Sequence, residues 1–326
     1  MISNAFTKFQ RNYVDLSDTK AAKASRAFLI EQIQSVSGEN GFPNLAPYAP
    51  LNFGSFARGT KLQPLDDIDI LLPLNGRGTE CNASPNDPYT QWLKIKDSTA
   101  PLATFPDAYG YVNSTIVTNA IKTGLSKVKQ YKKADIKRSG ESAVLELASY
   151  SWAFDIVPAV PIDDGRGGTA FYLIPDGRGN WKKTDPRIDE KRINAIDTAR
   201  GDKFRPLCRL LKYWNNRTTK PKLPSYYFET LVYNTFANQQ IQSTPNAVEA
   251  FFASAPAFLN QSCPDPKNLG PNLDADVGWD VKKKVIASMD DARKAAKEAI
   301  GFDWLQGYER HSLAKWQAVF GPIFVL

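Results

Sequence analysis

Three aspartates interrupt segments that are otherwise apolar. Asp67-Ile68-Asp69 leads into the run Ile70-Leu71-Leu72, and Asp155 sits inside Trp152-Ala153-Phe154-Asp155-Ile156-Val157. In an extended strand successive side chains alternate between faces, so Asp67 and Asp69 point one way while Ile68 and Ile70 point into a core. Two carboxylates held that close repel each other unless a cation lies between them, and carboxylate oxygens are the ligands Mg²⁺ prefers. A two-ion site also needs a ligand for the ion that activates an attacking hydroxyl, and Asp155 can supply it from a neighbouring strand. Mg²⁺ is therefore the expected cofactor, with Mn²⁺ as a substitute.

Just upstream lies Leu51-Asn52-Phe53-Gly54-Ser55. Gly54 lets the backbone turn sharply and approach a ligand closely, while Ser55 offers a hydroxyl and, at a helix start, backbone N–H groups for phosphate. Alone, Gly-Ser is a turn and Asp-Ile-Asp a half-exposed strand. Their order, their short spacing and the third aspartate together point to a metal-dependent nucleotidyltransferase site whose substrates are nucleoside triphosphates.

The elements that must hold these residues follow from periodicity. Phe6, Phe9 and Tyr13, then Phe28, Leu29 and Ile33, are spaced as on helices with one apolar face, and Gly38, Gly41 and Pro43 end that segment. Extended runs follow at 51–53, 68–74, 144–150, 152–160 and 170–175, with a helix expected over 118–130. The stretch 75–106, rich in Gly, Pro, Asn and Asp, reads as a long loop serving as a lid or partner surface. After Pro186 the pattern turns helical, over 187–200, 204–216, 225–238, 247–259, 289–300 and 312–320. The expectation is an α+β fold with a boundary near Trp181–Arg187: a helix-led sheet domain over 1–184 and a helical lobe over 185–326.

Composition removes several other chemistries. The chain has 326 residues, 42% of them hydrophobic, and no run approaching the roughly 18 apolar residues of a membrane helix, so no membrane partner and a cytoplasmic location are expected. Cys81, Cys208 and Cys263 are too scattered for a zinc ribbon or a disulfide framework. With His311 as the sole histidine, histidine-based catalysis has one candidate, which reads better as a polar residue at a helix start. The net charge of +7 is consistent with phosphate-bearing partners. Its densest cluster, Lys122, Lys127, Lys129, Lys132, Lys133, Lys137 and Arg138, is a candidate contact for nucleic acid, although such a run is more often a solvated face.

The chain resembles the bacterial CD-NTases, relatives of cGAS and the oligoadenylate synthases in the DNA polymerase β-like nucleotidyltransferase superfamily. The resemblance is carried by Gly54-Ser55, Asp67-Ile68-Asp69, Phe154-Asp155-Ile156-Val157-Pro158-Ala159, Ile174-Pro175-Asp176 with Trp181 and Asp185-Pro186, Leu211-Lys212-Tyr213-Trp214-Asn215 and Ser225-Tyr226-Tyr227-Phe228-Glu229. Asp265-Pro266-Lys267-Asn268-Leu269-Gly270 is similar to the family's late Asp-Pro loop. The resemblance implies a polymerase β-like sheet core and a helical lobe, with the active site in the cleft between them. It implies that Asp67, Asp69 and Asp155 hold the metal, that Gly54 and Ser55 contact the donor triphosphate, and that Lys212 neutralises its charge. Ser225 would bond a phosphate and Tyr226 would stack on the donor base.

The implied product is a cyclic di- or trinucleotide made from ribonucleoside triphosphates in CBASS anti-phage defence, with accessory proteins and a downstream effector as partners. The chain lacks the Cys/His zinc module of cGAS, so activation by double-stranded DNA is not implied, while a polyanionic regulator stays open. The apolar ending Gly321 to Leu326 is compatible with packing and with conjugation of the C-terminus, which some family members undergo. Acceptor-side candidates are Asn113, Arg178 and Asn180. Alternatives are another polymerase β-like transferase making linear products or modifying RNA or small molecules, and a non-catalytic nucleotide-binding relative. A DxD glycosyltransferase is disfavoured by the absence of a βαβ pattern before the Asp-Ile-Asp.

Overall fold

The computed structural model describes residues 2–17, 19–48 and 50–325. In chain order the elements are α1 (Ile2–Tyr13), α2 (Thr19–Ser35), β1 (Leu51–Asn52), α3 (Gly54–Arg58), β2 (Asp67–Pro73), β3 (Thr79–Ala83) and β4 (Thr90–Ile95). Then come α4 (Ser114–Lys127), a 3₁₀ turn over Lys129–Tyr131, β5 (Asp135–Ser139), β6 (Ser142–Glu146), β7 (Ala153–Asp163), β8 (Thr169–Pro175) and β9 (Trp181–Thr184). The remainder is helical: α5 (Pro186–Ala199), α6 (Phe204–Asn215), α7 (Ser225–Phe236), α8 (Thr244–Leu259), α9 (Trp279–Asp303) and α10 (Glu309–Phe320).

Packing divides the described chain into two compact units, residues 19–58 with 65–189, and residues 2–17 with 59–64 and 190–325. The division falls inside α5, a few residues beyond the expected boundary. It differs from a linear split in placing α1 with the later helices.

In the first unit the nine strands form one sheet ordered β1-β2-β7-β8-β9-β4-β3, with β6 on the other edge of β7's first half and β5 outside it. Among the described residues only β2 and β7 run parallel; the remaining neighbours are antiparallel. The sequence 75–106 is not the loop its composition suggests. β3 and β4 form a hairpin that continues the sheet through β9, with Gln91 and Leu93 buried. Helix α4 packs on β5, β6, β7 and β8 and buries Val117, Ile121 and Leu125. Its start is fixed by Asn113, whose side chain accepts the N–H groups of Thr115 and Ile116.

In the second unit α1 buries Ile2, Ala5, Phe6 and Phe9, one helical stripe. Phe6 meets Trp316 edge-on at 4.8 Å and Phe324 at 4.9 Å, and Phe9 meets Phe324 at 5.1 Å. These rings close one core over α6, α7, α8, α9 and α10, which is why α1 belongs here. Phe324 is thereby buried, while Leu326 lies outside the described residues. Among the described residues no helix is long and apolar enough to cross a membrane.

Candidate active site

The parallel pairing of β2 and β7 sets Asp69 opposite Asp155 and Asp67 opposite Ala153. Residues opposite one another on neighbouring strands share a face, about 5 Å apart. Ile68, Ile70, Phe154 and Ile156 are fully buried on the other face, whereas Asp67, Asp69 and Asp155 are half-buried. The sequence therefore places one carboxylate pair along a strand, and the register adds the third across it.

Gly54 begins α3 with φ of +72°, a conformation that favours glycine. A Cβ there would lie 1.6 Å from Asp69 Oδ2 and 2.3 Å from its Cγ. The glycine lets the main chain lie directly against this carboxylate, and Ser55 follows it, half-buried in the first turn. Three oxygen-donating carboxylates on one half-open face suit a hard divalent cation. Among the described residues no three acidic, cysteine or histidine side chains converge into a metal cage by themselves. The aspartates make a face, open to ligands that would complete the coordination.

That face continues outward. Val144 of β6 pairs with Asp155, and Lys137 of β5 pairs with Val144, so Lys137, Val144, Asp155 and Asp69 form one row across four strands. Asp135, Glu146, Ala153 and Asp67 form the next. Lys137 Nζ is ion-paired with Glu146, whose hydrogen bond and charge hold the lysine above its ordinary pKa, with Asp135 and Asp155 adding to the effect. The basic segment thus divides: Lys137 belongs to the carboxylate face, and Lys127 is tied to the carbonyl of Asn40 at 2.9 Å.

The helical unit holds the other expected residues. Lys212 of α6 is buried, and its Nζ donates to the Thr60 carbonyl at 2.9 Å and to Glu229 Oε2 at 3.3 Å. Thr60 Oγ1 donates to the same Glu229 oxygen at 2.8 Å. Ser225 is the exposed first residue of α7. Tyr226, next to it, accepts a hydrogen bond from Lys267 Nζ at 2.8 Å, and that ammonium lies 4.2 Å from the ring centre. Buried Asp265 holds Lys267 in place at 2.9 Å and accepts the N–H groups of Leu269 and Gly270. A cleft of about 360 Å³ alongside is lined by Arg192, Thr230, Asn234, Gln261 and Asn268. The partners of Lys212 and Tyr226 carry no sequence signal beyond the motifs themselves.

Three further expectations concern residues with plain structural places. His311 stands at the start of α10 against the stacked rings of Phe302 and Tyr308, at 5.5 and 5.1 Å. Asn113 serves as the α4 cap, and Arg178 and Asn180 lie in a turn whose N–H groups Asp176 accepts. The cysteines are free thiols.

No family model matches the chain. It is 34% identical over 333 residues to a protein of Bacillus cereus (strain VD146) named "Probable cyclic nucleotide synthase", covering 99% of this chain and 97% of that one. The fold is similar to that of CdnC of E. coli MS115-1 solved with ATP, with a TM-score of 0.72 at 18% identity over 99% of both chains. CdnC in complex with HORMA-deltaN gives 0.67, over 98% of this chain and 97% of that one, again at 18% identity. E. coli DncV in its 3'-deoxy GTP bound form gives 0.57 at 15% identity, over 85% of this chain and 70% of that one. The chain belongs to the bacterial CD-NTases, the cyclic nucleotide synthases, a nucleotidyltransferase family with a polymerase β-like sheet core and a helical lobe.

Proposed function

We propose that this chain joins ribonucleoside triphosphates into a cyclic di- or trinucleotide, releasing pyrophosphate in a Mg²⁺- or Mn²⁺-dependent reaction that serves anti-phage signalling. The observation that carries the reading is the β2–β7 register: it sets Asp69 against Asp155 while the main chain of Gly54 lies on Asp69.

Asp67, Asp69 and Asp155 would hold the cation, whose chemistry is to acidify an attacking ribose hydroxyl and to neutralise charge on the leaving pyrophosphate. Gly54 would allow the donor phosphates close to the backbone, and Ser55 would hydrogen-bond them. Ser225 would bond a phosphate, and Tyr226, fixed at its hydroxyl by Lys267, would offer its ring to the donor base. Lys212 would reach the triphosphate by exchanging Glu229 for phosphate. Two transfers, with the linear product turned between them, close the ring. A non-catalytic relative is disfavoured because all three carboxylates are present on one face.

CdnC has been solved with ATP and with a HORMA-domain protein. By analogy we assign nucleotides as substrates here, an accessory protein as partner, and an effector that reads the product. A polyanionic regulator remains part of the reading through the basic segment. The test is incubation with the four ribonucleoside triphosphates and Mg²⁺ or Mn²⁺, then phosphatase and mass spectrometry. A phosphatase-resistant product absent from Asp67→Ala/Asp69→Ala protein is expected; only linear products, or none with any nucleotide and polyanion, would overturn it.

A further inference from the structure

The sheet of the first unit ends on β3, which pairs with β4 alone among the described residues. Within that pair the N–H of Ser84 donates to the carbonyl of Thr90, and the N–H of Lys96 to the carbonyl of Gly78. Bonded positions alternate along antiparallel strands, so Gly78, Glu80, Asn82 and Ser84 face β4, while Thr79, Cys81 and Ala83 turn their N–H and carbonyl groups outward. The Thr79 N–H is taken by the Gly76 carbonyl; those of Cys81 and Ala83 have no acceptor among the described residues. Such an edge is a template for a further strand.

A cavity of about 640 Å³ lies along it. Three consecutive residues of β3, Thr79, Glu80 and Cys81, line this space, and so do three consecutive residues of β7, Pro161, Ile162 and Asp163. Neighbouring residues of a strand point to opposite faces, so a cavity that touches three in a row lies beside the strand and not on one face of it. Beyond Ala159, β7 too has a strand on one side only, β8. The strands β7-β8-β9-β4-β3 thus curl until their two free edges border one gap. Ile162 is seven residues along β7 from Asp155, about 20 Å, so the gap stands apart from the aspartates.

Charge at the start of β3 selects the guest. The loop Asn75-Gly76-Arg77-Gly78 borders the gap there, and the exposed guanidinium of Arg77 forms no ion pair among the described residues. The acids that line the gap are engaged: Glu80 pairs with Lys96 at 3.0 Å, and Asp163 accepts the Gly165 N–H.

We propose that this gap takes the free C-terminal end of a partner protein as an added strand, antiparallel to β3, with the terminal carboxylate on Arg77. A carboxylate at the start of β3 sets the direction, and the planar fork of arginine matches its two oxygens. The last residue of the guest then lies opposite Thr79 and the third from last opposite Cys81. Both turn their side chains to the face on which Leu93, the β4 partner of Cys81, is buried, beside Leu74 and Ile162 of the cavity wall. Apolar residues are therefore required at these two positions.

The probe is a pool of N-acetylated hexapeptides with valine, leucine, isoleucine or phenylalanine at the last and third-from-last positions, made once with free C-terminal carboxylates and once as C-terminal amides. Affinity selection on the full chain, followed by titration of the selected peptides, should show amidation weakening binding about tenfold or more. Arg77→Gln should erase the preference for the carboxylate. Ala83→Pro removes an outward N–H without touching a bond to β4, a change an edge strand tolerates, and should weaken both forms. Thermal melts check that each variant is folded. Amide exchange should slow at Cys81 and Ala83 when a selected peptide is bound. Failure of the wild-type protein to retain any peptide overturns the proposal, as does equal binding of carboxylate and amide, or binding that leaves the Cys81 and Ala83 amides exchanging at their free rates.

Discussion

Two groups of charged side chains in this molecule are built on opposite plans. In the sheet unit Asp67, Asp69 and Asp155 bring like charges together on a half-open face. In the helical unit Lys212 and Glu229 bring opposite charges together out of water, and Thr60 supplies both a carbonyl and a hydroxyl to the pair. A buried pair of this kind is complete in itself, and its value lies in the loss suffered when one partner goes. A row of like charges is the reverse: its members repel one another, and a cation between them relieves that repulsion. The difference sets a like-charged, half-open group apart from an oppositely charged, buried one, even where both lie in motifs that carry the family resemblance.

The largest effect should come from breaking the first plan. Asp69→Asn keeps the shape but removes a carboxylate, and product formation should fall about 10³-fold or more, around 4 kcal/mol of transition-state stabilisation. Its thermal unfolding should stay level or rise, because repulsion is relieved. A loss of stability equal to the loss of rate would erase the contrast.

Next in size, Glu229→Ala leaves a buried lysine uncompensated and should cost about 3–5 kcal/mol of stability, read by denaturant unfolding. Pairing it with Lys212→Met should recover much of that loss. Gly54→Ala should lower turnover about 10²-fold, since the new methyl must push Asp69 aside, and its positive φ adds a stability loss of about 1 kcal/mol. Steady-state rates and melting temperatures report the two parts separately.

Lys220 sharpens the comparison within the helical unit. Its ammonium lies 3.9 Å from the Trp214 ring centre and donates to the carbonyls of Asn215 and Pro221. Burial, with Arg217 adding to it, pushes its pKa down from 10.5 to about 8. The folded protein then holds this proton less firmly than the unfolded chain. Stability should rise relative to Lys220→Met, by about 1–3 kcal/mol, as pH climbs from about 8 towards 10.5. Parallel stability curves for the two proteins across that window would remove Lys220 as the cause.

How far the sequence reveals this arrangement depends on the range of the interactions. Asp67 and Asp69 sharing a face is a local consequence of strand alternation, and the helices after Pro186 announce themselves by apolar spacing. The register that sets Asp155 against Asp69 is a pairing between distant segments, which no local pattern encodes. The hairpin of β3 and β4 escapes notice because Thr79-Glu80-Cys81-Asn82-Ala83 has no large apolar or β-branched hydrocarbon residue, and its pairing partners, not its composition, make it a strand. The same holds at the site. Gly54 reads as a turn glycine, but that its missing side chain makes room for Asp69 is visible only in three dimensions. Lys212 reads as a phosphate ligand, and only packing reveals Glu229 beside it.

The most direct test is Mn²⁺ binding, followed by electron paramagnetic resonance with an α,β-methylene nucleotide present, in wild type, Asp69→Asn, Asp155→Asn and Glu229→Gln proteins. Tight Mn²⁺ binding is expected in wild type and in Glu229→Gln, with its loss in both aspartate variants. Equal Mn²⁺ binding by all four would contradict it and return the carboxylate face to the status of a polar sheet surface.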